Sequence, residues 1–474
     1  MGLGKWEELQ QQEFWTPTSS LSEGPGHIFY DKLRQVFAKA GFDRPLEALC
    51  RPCYTRTGRM SIPLGVYFRM LLVSYFGGID SQRGIAWPCK DSLLLRRLRG
   101  NPLGKETPNH SSLTRIRDRI PLEIHEQVFQ QVLSIIEDHS LLKLKAVGVD
   151  STLLGANAAM KTIVRKDSGE DWKAYLKRLM QEEGFIQEAD DPSDPDARII
   201  RMKGGRTHLG YKDEHVVDLE NEIILSATLH HGTLALSATG TMFESVVNAQ
   251  RNVILSGSKE EIEEVDADKG YHKNETIRQT KQFRMRTYIP EPNSPHNRTW
   301  TDKFGEVKQA VLSNRRRMNR AKGKALQQQC SEKVERSFAH ICETRKARRT
   351  WLREIEKANK RYPIIAAAGN LGLLMLKVLR IGNSRSLQGG IGAALALRET
   401  YLMPWLGCSE KLSVLTDREN STSKNIPVPR LEIQPAATTH TQTTQIHANF
   451  NRLLEFVLTT YAPARDLFFT RFYL

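Results

Sequence analysis

The stretch from Glu264 to His272, EVDADKGYH, constrains the fold of this chain more than any other feature of its sequence. An apolar and acidic run that ends in a carboxylate before a glycine is typical of a strand that gives way to a loop. Sheets of α/β proteins place their chemistry at such strand ends. Asp268 at this position can bind a divalent cation, because hard cations prefer carboxylate oxygens. Asp-x-Asp before a glycine turn is also common at the start of solvent-exposed loops. The stretch therefore indicates a metal site only if other acidic residues of the chain join it.

A second acid, Asp150, occurs in the same kind of context. It follows the short apolar run Ala146 to Val149, which has polar residues on both sides and predicts a buried strand. Asp150 and Asp268 are therefore both predicted at strand ends. Asp266 lies two residues before Asp268 on the same strand face and is the alternative ligand. Asp268 is preferred because it is nearer to the loop.

A third acid, Glu335, is predicted on a helix. Val334, Phe338 and Ile341 recur around it at helical spacing, and Glu335 lies beside the apolar stripe that they form. Two strand-end Asp residues and a helical Glu, far apart in the sequence, provide the oxygen ligands that a two-metal site needs. In such a site each metal ion stabilises one oxygen of an in-line phosphoryl displacement.

Four motifs around these acids occur in the order GVDST, VDADKGYH, RTYIPEP and VERSFAH. In this order they resemble the DDE transposases of bacterial insertion sequences, and the resemblance covers roughly residues 27 to 390. It implies a ribonuclease-H-like catalytic domain behind a short helical N-terminal domain. It also implies that Asp150, Asp268 and Glu335 are the catalytic triad and bind two Mg²⁺ or Mn²⁺ ions.

The N-terminal part, residues 27–140, carries apolar stripes at helical spacing and is predicted to be a small all-α domain behind a flexible arm, residues 1–26. The segment Thr107 to Arg115 predicts a turn followed by a capped helix. Ser, Thr and Arg at a helix start suit a helix-turn-helix that reads DNA. From the residues alone, a dimerising or packing domain is an equal alternative. The resemblance implies that DNA ends bind here, with Arg115 among the contacts.

Positive charge is concentrated in one segment. The chain carries 69 Lys and Arg against 54 Asp and Glu, a net charge of +15 that favours a polyanionic partner. Between Arg278 and Lys324, 13 Lys and Arg stand against three acids. A run of charged residues usually forms a solvent-exposed surface. A basic run between two predicted catalytic acids instead favours a surface along which DNA binds, because Lys and Arg neutralise phosphates. The predicted phosphate contacts are Arg315, Arg316, Arg317, Arg320, Lys322 and Lys324.

Two other patterns bear on the catalytic domain. Thr207 to Asp218 and Ile223 to Leu229 predict an antiparallel hairpin, so the sheet is expected to be mixed. An acidic, proline-rich run predicts a surface insertion around residues 165–205. The histidines in and beside the hairpin have no fixed ligand spacing, and we interpret them as satisfied structural residues and not as metal ligands. They are His208, His215, His230 and His231.

The segment from Tyr362 to Ile381 is apolar enough to suggest a membrane span. It contains Asn370 and Lys377 and follows a basic segment, so it is predicted to be a buried helix of the core. Beyond this segment, residues 391–474 are predicted to be a partly disordered tail. No membrane partner is expected, and six irregularly spaced cysteines fit a reducing bacterial cytoplasm, where the protein would associate with the nucleoid.

Together these patterns predict an α/β protein whose residues 141–390 form a ribonuclease-H-like mixed sheet with flanking helices. The predicted function is metal-dependent cleavage and transfer of DNA strands at the ends of an insertion sequence. The predicted partners are double-stranded DNA, from the element ends and the target, and a second copy of the chain when the ends are paired. Two alternatives remain on the same fold. One is a nuclease that cuts but does not join, and the other is a domesticated, non-transposing DNA-binding protein.

Overall fold

The computed structural model describes residues 28–381, with gaps at 56, 58–60, 101–105, 159–163, 166–188, 191–193, 202–206, 232–240, 293–299, 301–304 and 345–346. The predicted arm, the predicted tail and most of the predicted insertion lie outside the described residues.

The described residues from 28 to 138 form helices, as their apolar stripes predict. Gly78 and Gly100 end two of these helices with φ angles of 61° and 76°, the left-handed conformation that glycine adopts without strain. The third helix is buried around almost its whole circumference and lies at the centre of the bundle. The helices are α1 (Ile28–Lys39), α2 (Asp43–Cys50), α3 (Leu64–Gly77), α4 (Gln82–Asp91), α5 (Leu93–Arg99), α6 (His110–Arg119) and α7 (Leu122–Asp138).

A mixed sheet follows the helices. Its strands are β1 (Ala146–Gly155), β4 (Arg198–Arg201), β5 (Thr207–Asp218), β6 (Ile224–His231), β7 (Glu264–Ala267) and β8 (Arg286–Tyr288), and the short strands β2 (Val164–Arg165) and β3 (Ala189–Asp190) form a separate pair. β5 is antiparallel to β1, β4 and β6, whereas β1, β7 and β8 are parallel. The mixed sheet and the antiparallel hairpin are confirmed. β4 lies in the range predicted as an insertion, yet it extends this sheet.

Helices connect and cover the strands. They are α8 (Met242–Leu255), α9 (Asn274–Gln282), α10 (Gly305–Met318), α11 (Ala321–Phe338), α12 (Ile355–Asn359) and α13 (Tyr362–Lys377). α8 and α9 make the crossovers that parallel β1, β7 and β8 require. α13 packs against both β6 and α7 and so joins the helical part to the sheet, as predicted for a buried core helix. Within the described ranges, no helix is both long and apolar enough to span a membrane.

Three asparagines cover the open edges of the sheet. Each side chain accepts a hydrogen bond from the backbone N–H of one residue and donates one to the C=O of the same residue. Asn370 does so to Ile224 at 2.8 Å in both directions, and Asn359 to Leu229 at 3.0 and 3.4 Å, both on β6. Asn314 does so to Ile289, just after β8, at 3.1 and 2.7 Å. These bonds satisfy edge groups that would otherwise be left unpaired.

Candidate active site

Asp150 and Asp268 lie side by side at one end of the sheet. The last residues in parallel register on β1 and β7 are Val149 and Ala267, and the two aspartates follow them directly. Neighbouring strands are about 4.8 Å apart, and paired residues of parallel strands place their side chains on the same face. Asp150 is half-buried and Asp268 is exposed. The structure therefore brings these two predicted residues together where the parallel pairing of β1 with β7 ends. The prediction that Asp150 ends its strand is wrong, because β1 continues to Gly155 in antiparallel pairing with β5.

The backbone orients both carboxylates. Asp150 Oδ1 accepts a hydrogen bond from the N–H of Ser151, and Asp268 Oδ1 accepts one from Lys269, each at 2.7 Å. Asp268 also begins the 3₁₀ turn Lys269–Tyr271. The Asp268 carboxylate is thus positioned by the first residue of the turn that follows it.

A buried carboxylate on β5 anchors that turn. Glu214 is fully buried, and its Oε2 accepts hydrogen bonds from the Tyr271 hydroxyl at 2.8 Å, the Thr241 hydroxyl at 3.0 Å and Lys212 Nζ at 3.2 Å. Its Oε1 accepts a hydrogen bond from the Ser245 hydroxyl. The sequence reasoning missed Glu214. The available signal was KDEH at residues 212–215, four consecutive polar residues in the interior of a strand.

Asp266 is on the same strand face as Asp268, but its environment is different. Its side chain is 1% exposed, and Oδ1 accepts a hydrogen bond from Gln327 Nε2 at 2.6 Å. Burial raises the pKa of Asp266 to about 8. The carboxyl is thus predominantly protonated at neutral pH and lies beneath α11. The geometry favours Asp268 over Asp266 as the ligand.

The helix that carries Glu335 crosses the same face of the sheet very closely. A Cβ atom added to Gly148 on β1 would lie 2.7 Å from Val334 Cγ2 and 2.8 Å from Cys330 Sγ. Only a glycine at this position allows α11 to approach β1 in this way. The glycine of the GVDST motif therefore sets the distance between the helix and the strand that carries Asp150.

One β5 side chain, His215, packs against the C-terminal end of α11. His215 stacks on Phe338 with ring centroids 4.1 Å apart, and its Nδ1 lies 3.0 Å from Ser337 Oγ. Because the Ser337 hydroxyl donates to Val334 O, it accepts the His215 Nδ1–H. His215 Nε2 lies 3.1 Å from the fully buried Asp213 Oδ2. His215 is thus a structural residue, as the sequence interpretation has it.

Glu335 is exposed on α11. Gln327, two turns earlier, bonds to Asp266 and Ala267 O near the carboxyl end of β7, whereas Lys333 bonds to Leu219 O near the opposite end of the sheet. At about 100° per residue, Glu335 is on the Gln327 side of the helix. Among the described residues, however, no group of three or more His, Cys, Asp or Glu is arranged to bind a metal ion. The structure brings Asp150 and Asp268 together but does not bring Glu335 into a metal cluster with them.

The predicted phosphate contacts divide into two groups. Arg316, Arg320 and Lys324 are exposed on α10, the turn after it and α11. The other three have protein partners. Arg315 forms a bidentate pair with Glu291 at 2.8 and 2.7 Å, and Lys322 Nζ lies 2.5 Å from Glu264 Oε1. Arg317 is half-buried and donates to Thr287 O at 3.0 Å and to Thr287 Oγ1 at 3.2 Å.

Arg115 is exposed on α6, which begins at His110, within the segment Thr107 to Arg115 that the sequence predicts to contain a turn and a helix start. The N-cap residue Asn109 makes no side-chain capping bond, so the capped start expected from the sequence is absent there. The Thr114 hydroxyl donates to Gln82 of α4 and is therefore an internal contact between helices. Of the two helix positions, Arg115 is the one that faces solvent.

Comparisons with known proteins give two matches. Residues 19–119 match the family model described as Transposase domain (DUF772), a range that includes α1 to α6. A solved structure, the cryo-EM structure of a piggyBac transposase synaptic complex with hairpin DNA, is 10% identical and has a TM-score of 0.32; the alignment covers 89% of this chain and 90% of that chain. No curated protein matches the chain.

Proposed function

We propose that this chain is a DDE transposase that cleaves DNA strands at the ends of an insertion sequence and transfers them to target DNA. The match of residues 19–119 to a transposase domain supports the class of protein. The observation that carries the chemistry is the pair Asp150 and Asp268, which directly follow the last residues in parallel register on β1 and β7. The partners would be double-stranded DNA and, at paired ends, a second copy of the chain.

The sheet topology supports a ribonuclease-H-like catalytic domain. Three antiparallel strands, β6, β5 and β1, are followed across the sheet by the parallel strands β7 and β8. The three acids of the proposed triad are on β1, after β7 and on α11, which packs across β1. This arrangement supports the ribonuclease-H-like fold that the four sequence motifs imply.

The proposed site suits Mg²⁺ or Mn²⁺. Its first two residues provide carboxylate oxygens, which hard cations prefer, and Asp268 is accessible from solvent. Glu335 would complete the set from the adjoining side of α11. When bound, two ions would stabilise negative charge on the attacking and the leaving oxygens of a phosphodiester. Arg316, Arg320 and Lys324 would bind the flanking phosphates, since they are exposed and make no ion pair with the described residues.

The test is a cleavage and joining assay on DNA that carries the ends flanking the gene. Asp150→Asn, Asp268→Asn and Glu335→Gln should each lower cleavage by at least about 100-fold in Mg²⁺, because each removes a carboxylate that stabilises transition-state charge through the metal. Binding of the same DNA should remain within about threefold, since these acids do not contact phosphate.

The outcomes separate the alternatives. A variant that cleaves like the wild type removes its residue from the site. Cleavage without joining of the released 3′-ends would instead identify a nuclease. Binding without cleavage by the wild type would identify a non-transposing DNA-binding protein.

A further inference from the structure

The helical part of the chain has an exposed aromatic residue that the proposed function does not use. Trp87 on α4 is 73% exposed, the largest value among the exposed large hydrophobic side chains of the described residues. It makes no ring contact or hydrogen bond with the described residues. The indole of a tryptophan is usually packed against other side chains. An isolated ring that is mostly exposed to solvent therefore indicates a contact surface.

The surface around Trp87 is basic. Arg83 and Lys90 are exposed four residues before it and three residues after it, which places all three side chains on one face of α4. The two cations are about 10 Å apart along the helix axis, with the indole between them. Asp91, the one acid of the helix, is its last residue and lies four residues after Trp87 at the edge of this face, where the two cations outnumber it. We call the surface formed by Arg83, Trp87 and Lys90 the α4 face.

We propose that the α4 face binds unpaired bases of DNA, with Trp87 stacked on a base and Arg83 and Lys90 on the adjacent phosphates. Aromatic rings with cations beside them form the sequence-tolerant sites of single-stranded nucleic acid binding. In a duplex the base faces are already stacked on each other, whereas frayed or cleaved ends present them. The inference rests on the proposed function in one respect, because cleavage at element ends is what would supply such bases.

A second copy of the chain is the less suitable occupant. A twofold contact through the α4 face would bring Arg83 and Lys90 of one copy towards the same residues of the other. Like charges at a buried contact oppose association. The charge of the face is complementary to a phosphate backbone and not to itself.

The experiment compares binding of oligo(dT) of about 20 nucleotides with binding of a duplex of equal length by fluorescence anisotropy. Trp87→Ala should weaken oligo(dT) binding about 5- to 100-fold and change duplex binding less than about twofold. Trp87→Phe retains a ring and should stay within about threefold of the wild type for both. The matched control is Leu93→Ala on α5, which removes a 44% exposed apolar side chain without a ring and should change neither.

A second variant keeps the test decisive if Trp87→Ala does not fold. Arg83→Ala with Lys90→Ala should weaken oligo(dT) binding and lower the log–log salt slope by about 1.4, roughly 0.7 per lost phosphate contact. An unchanged slope would overturn the assigned roles of the two cations. Wild-type oligo(dT) affinity in Trp87→Ala would overturn the stacking role. If Trp87→Ala lost dimerisation in analytical ultracentrifugation while its oligo(dT) affinity was unchanged, the stacking role would also be overturned. That result would identify the α4 face as a protein interface.

Failure of the inference and failure of the proposed function give different results. If the wild type cleaves and joins element ends while Trp87→Ala binds oligo(dT) normally, the inference is wrong and the function stands. If the wild type does not cleave but Trp87→Ala loses oligo(dT) binding, the function is wrong and the α4 face is still a single-strand site.

Discussion

At the residue scale, Asp266 and Asp268 show how two acids on one strand face acquire different chemistry. Asp268 follows the strand and is exposed, whereas Asp266 is within it and is covered by α11. Removing a carboxylate from water disfavours its charged form, and burial is the main cause of the raised pKa of Asp266. Asp268 is thus a candidate metal ligand, whereas Asp266, only two residues earlier, is a neutral hydrogen-bonding group.

Asp266→Asn should therefore be tolerated. The amide resembles the protonated carboxyl and can still accept a hydrogen bond from Gln327, so cleavage at pH 7 should stay within about threefold of the wild type. A folded-state pKa of about 8 means that the folded protein binds the proton more tightly than the unfolded chain. Wild-type stability is therefore lost as pH rises from the ordinary carboxyl pKa towards 8.

Asp266→Asn has no such pH-dependent loss of stability, because its amide does not titrate. Its free energy of unfolding should exceed that of the wild type by on the order of 2–4 kcal/mol at pH 8, and the difference should shrink towards zero near pH 4. Urea unfolding at the two pH values measures this. Asp268→Asn is the control, because an exposed carboxyl should give no comparable gain. Loss of cleavage in Asp266→Asn but not in Asp268→Asn would exchange the two roles.

At the element scale, the sheet edges depend on side chains from helices. Asn370 of α13 is fully buried and satisfies both backbone groups of Ile224 on β6. Asn314 of α10 does the same for Ile289 at the opposite edge. An edge strand presents unpaired N–H and C=O groups that invite intermolecular pairing. Each of these asparagines replaces a missing neighbouring strand at one residue.

Asn370→Ala should lower the free energy of unfolding by about 2–4 kcal/mol, because two buried backbone groups lose their partners. Chemical denaturation measures the change. Asn319→Ala, at an exposed position after α10, is the control and should shift stability by less than about 0.5 kcal/mol. Equal stability of the Asn370 variant and the wild type would mean that water replaces the lost bonds without penalty.

The basic segment of α10 and α11 contains exposed cations that we propose bind DNA and cations that bind other residues of the chain. Simultaneous Ala substitution of Arg316, Arg320 and Lys324 should weaken binding to all DNA sequences alike. It should lower the log–log salt slope by about 2.7, roughly 0.9 per lost contact, and leave the melting temperature unchanged. Preference for the element ends should survive, since we assign it to the helical part around Arg115. Binding titrations at several salt concentrations measure both effects.

Arg317→Ala is the matched contrast. Arg317 donates to Thr287 on β8, and its guanidinium lies over the Tyr288 ring. Its removal should lower stability by about 1–2 kcal/mol and change the salt slope little. Loss of end preference in the triple variant, with Arg115→Ala without effect, would contradict the assignment of the two roles.

At the scale of the whole molecule, buried contacts join the helical part to the α/β part. α7 packs against α13, and Gln130 of α7 donates to Asn252 of α8 at 3.0 Å. His125 lies in α7 and is completely buried. Its Nδ1 donates to Pro121 O at 3.1 Å, and its Nε2 accepts from the Tyr67 hydroxyl at 3.4 Å. Burial lowers the pKa of His125 to about 4, so the folded protein contains the neutral ring.

Acid should therefore destabilise the helical part through His125. Below the ordinary pKa of histidine, the unfolded chain binds a proton that the folded protein does not, and stability falls until the pH reaches about 4. Between pH 6.5 and 4.5 the loss should be on the order of 2–3 kcal/mol larger in the wild type than in His125→Gln. Unfolding measurements at both pH values test this. His208→Gln, at an exposed position on β5, should show the wild-type dependence.

Sequence alone determined the features that depend on local order. The apolar strand segments before Asp150 and Asp268, the hairpin of β5 and β6, the helix that carries Glu335, and the buried helix of Asn370 all follow from periodicity and from the positions of apolar runs. The continuation of β1 past Asp150 to Gly155 does not, because it depends on pairing with β5. Such patterns repeat every two or 3.6 residues, so a short window contains the information. The preference for Asp268 over Asp266 also came from local position, and burial supplies its physical reason.

Tertiary structure alone decided what depends on how elements are rotated against one another. A run of cations does not reveal that Arg317 and Lys322 have protein partners, Thr287 and Glu264, because the rotation of α10 and α11 about their axes is set by packing. The buried run KDEH on β5 finds its partners on α8, α11 and the turn after Asp268, far away in the sequence. Long-range contacts of this kind have no periodic signature, and only the folded chain brings their members together.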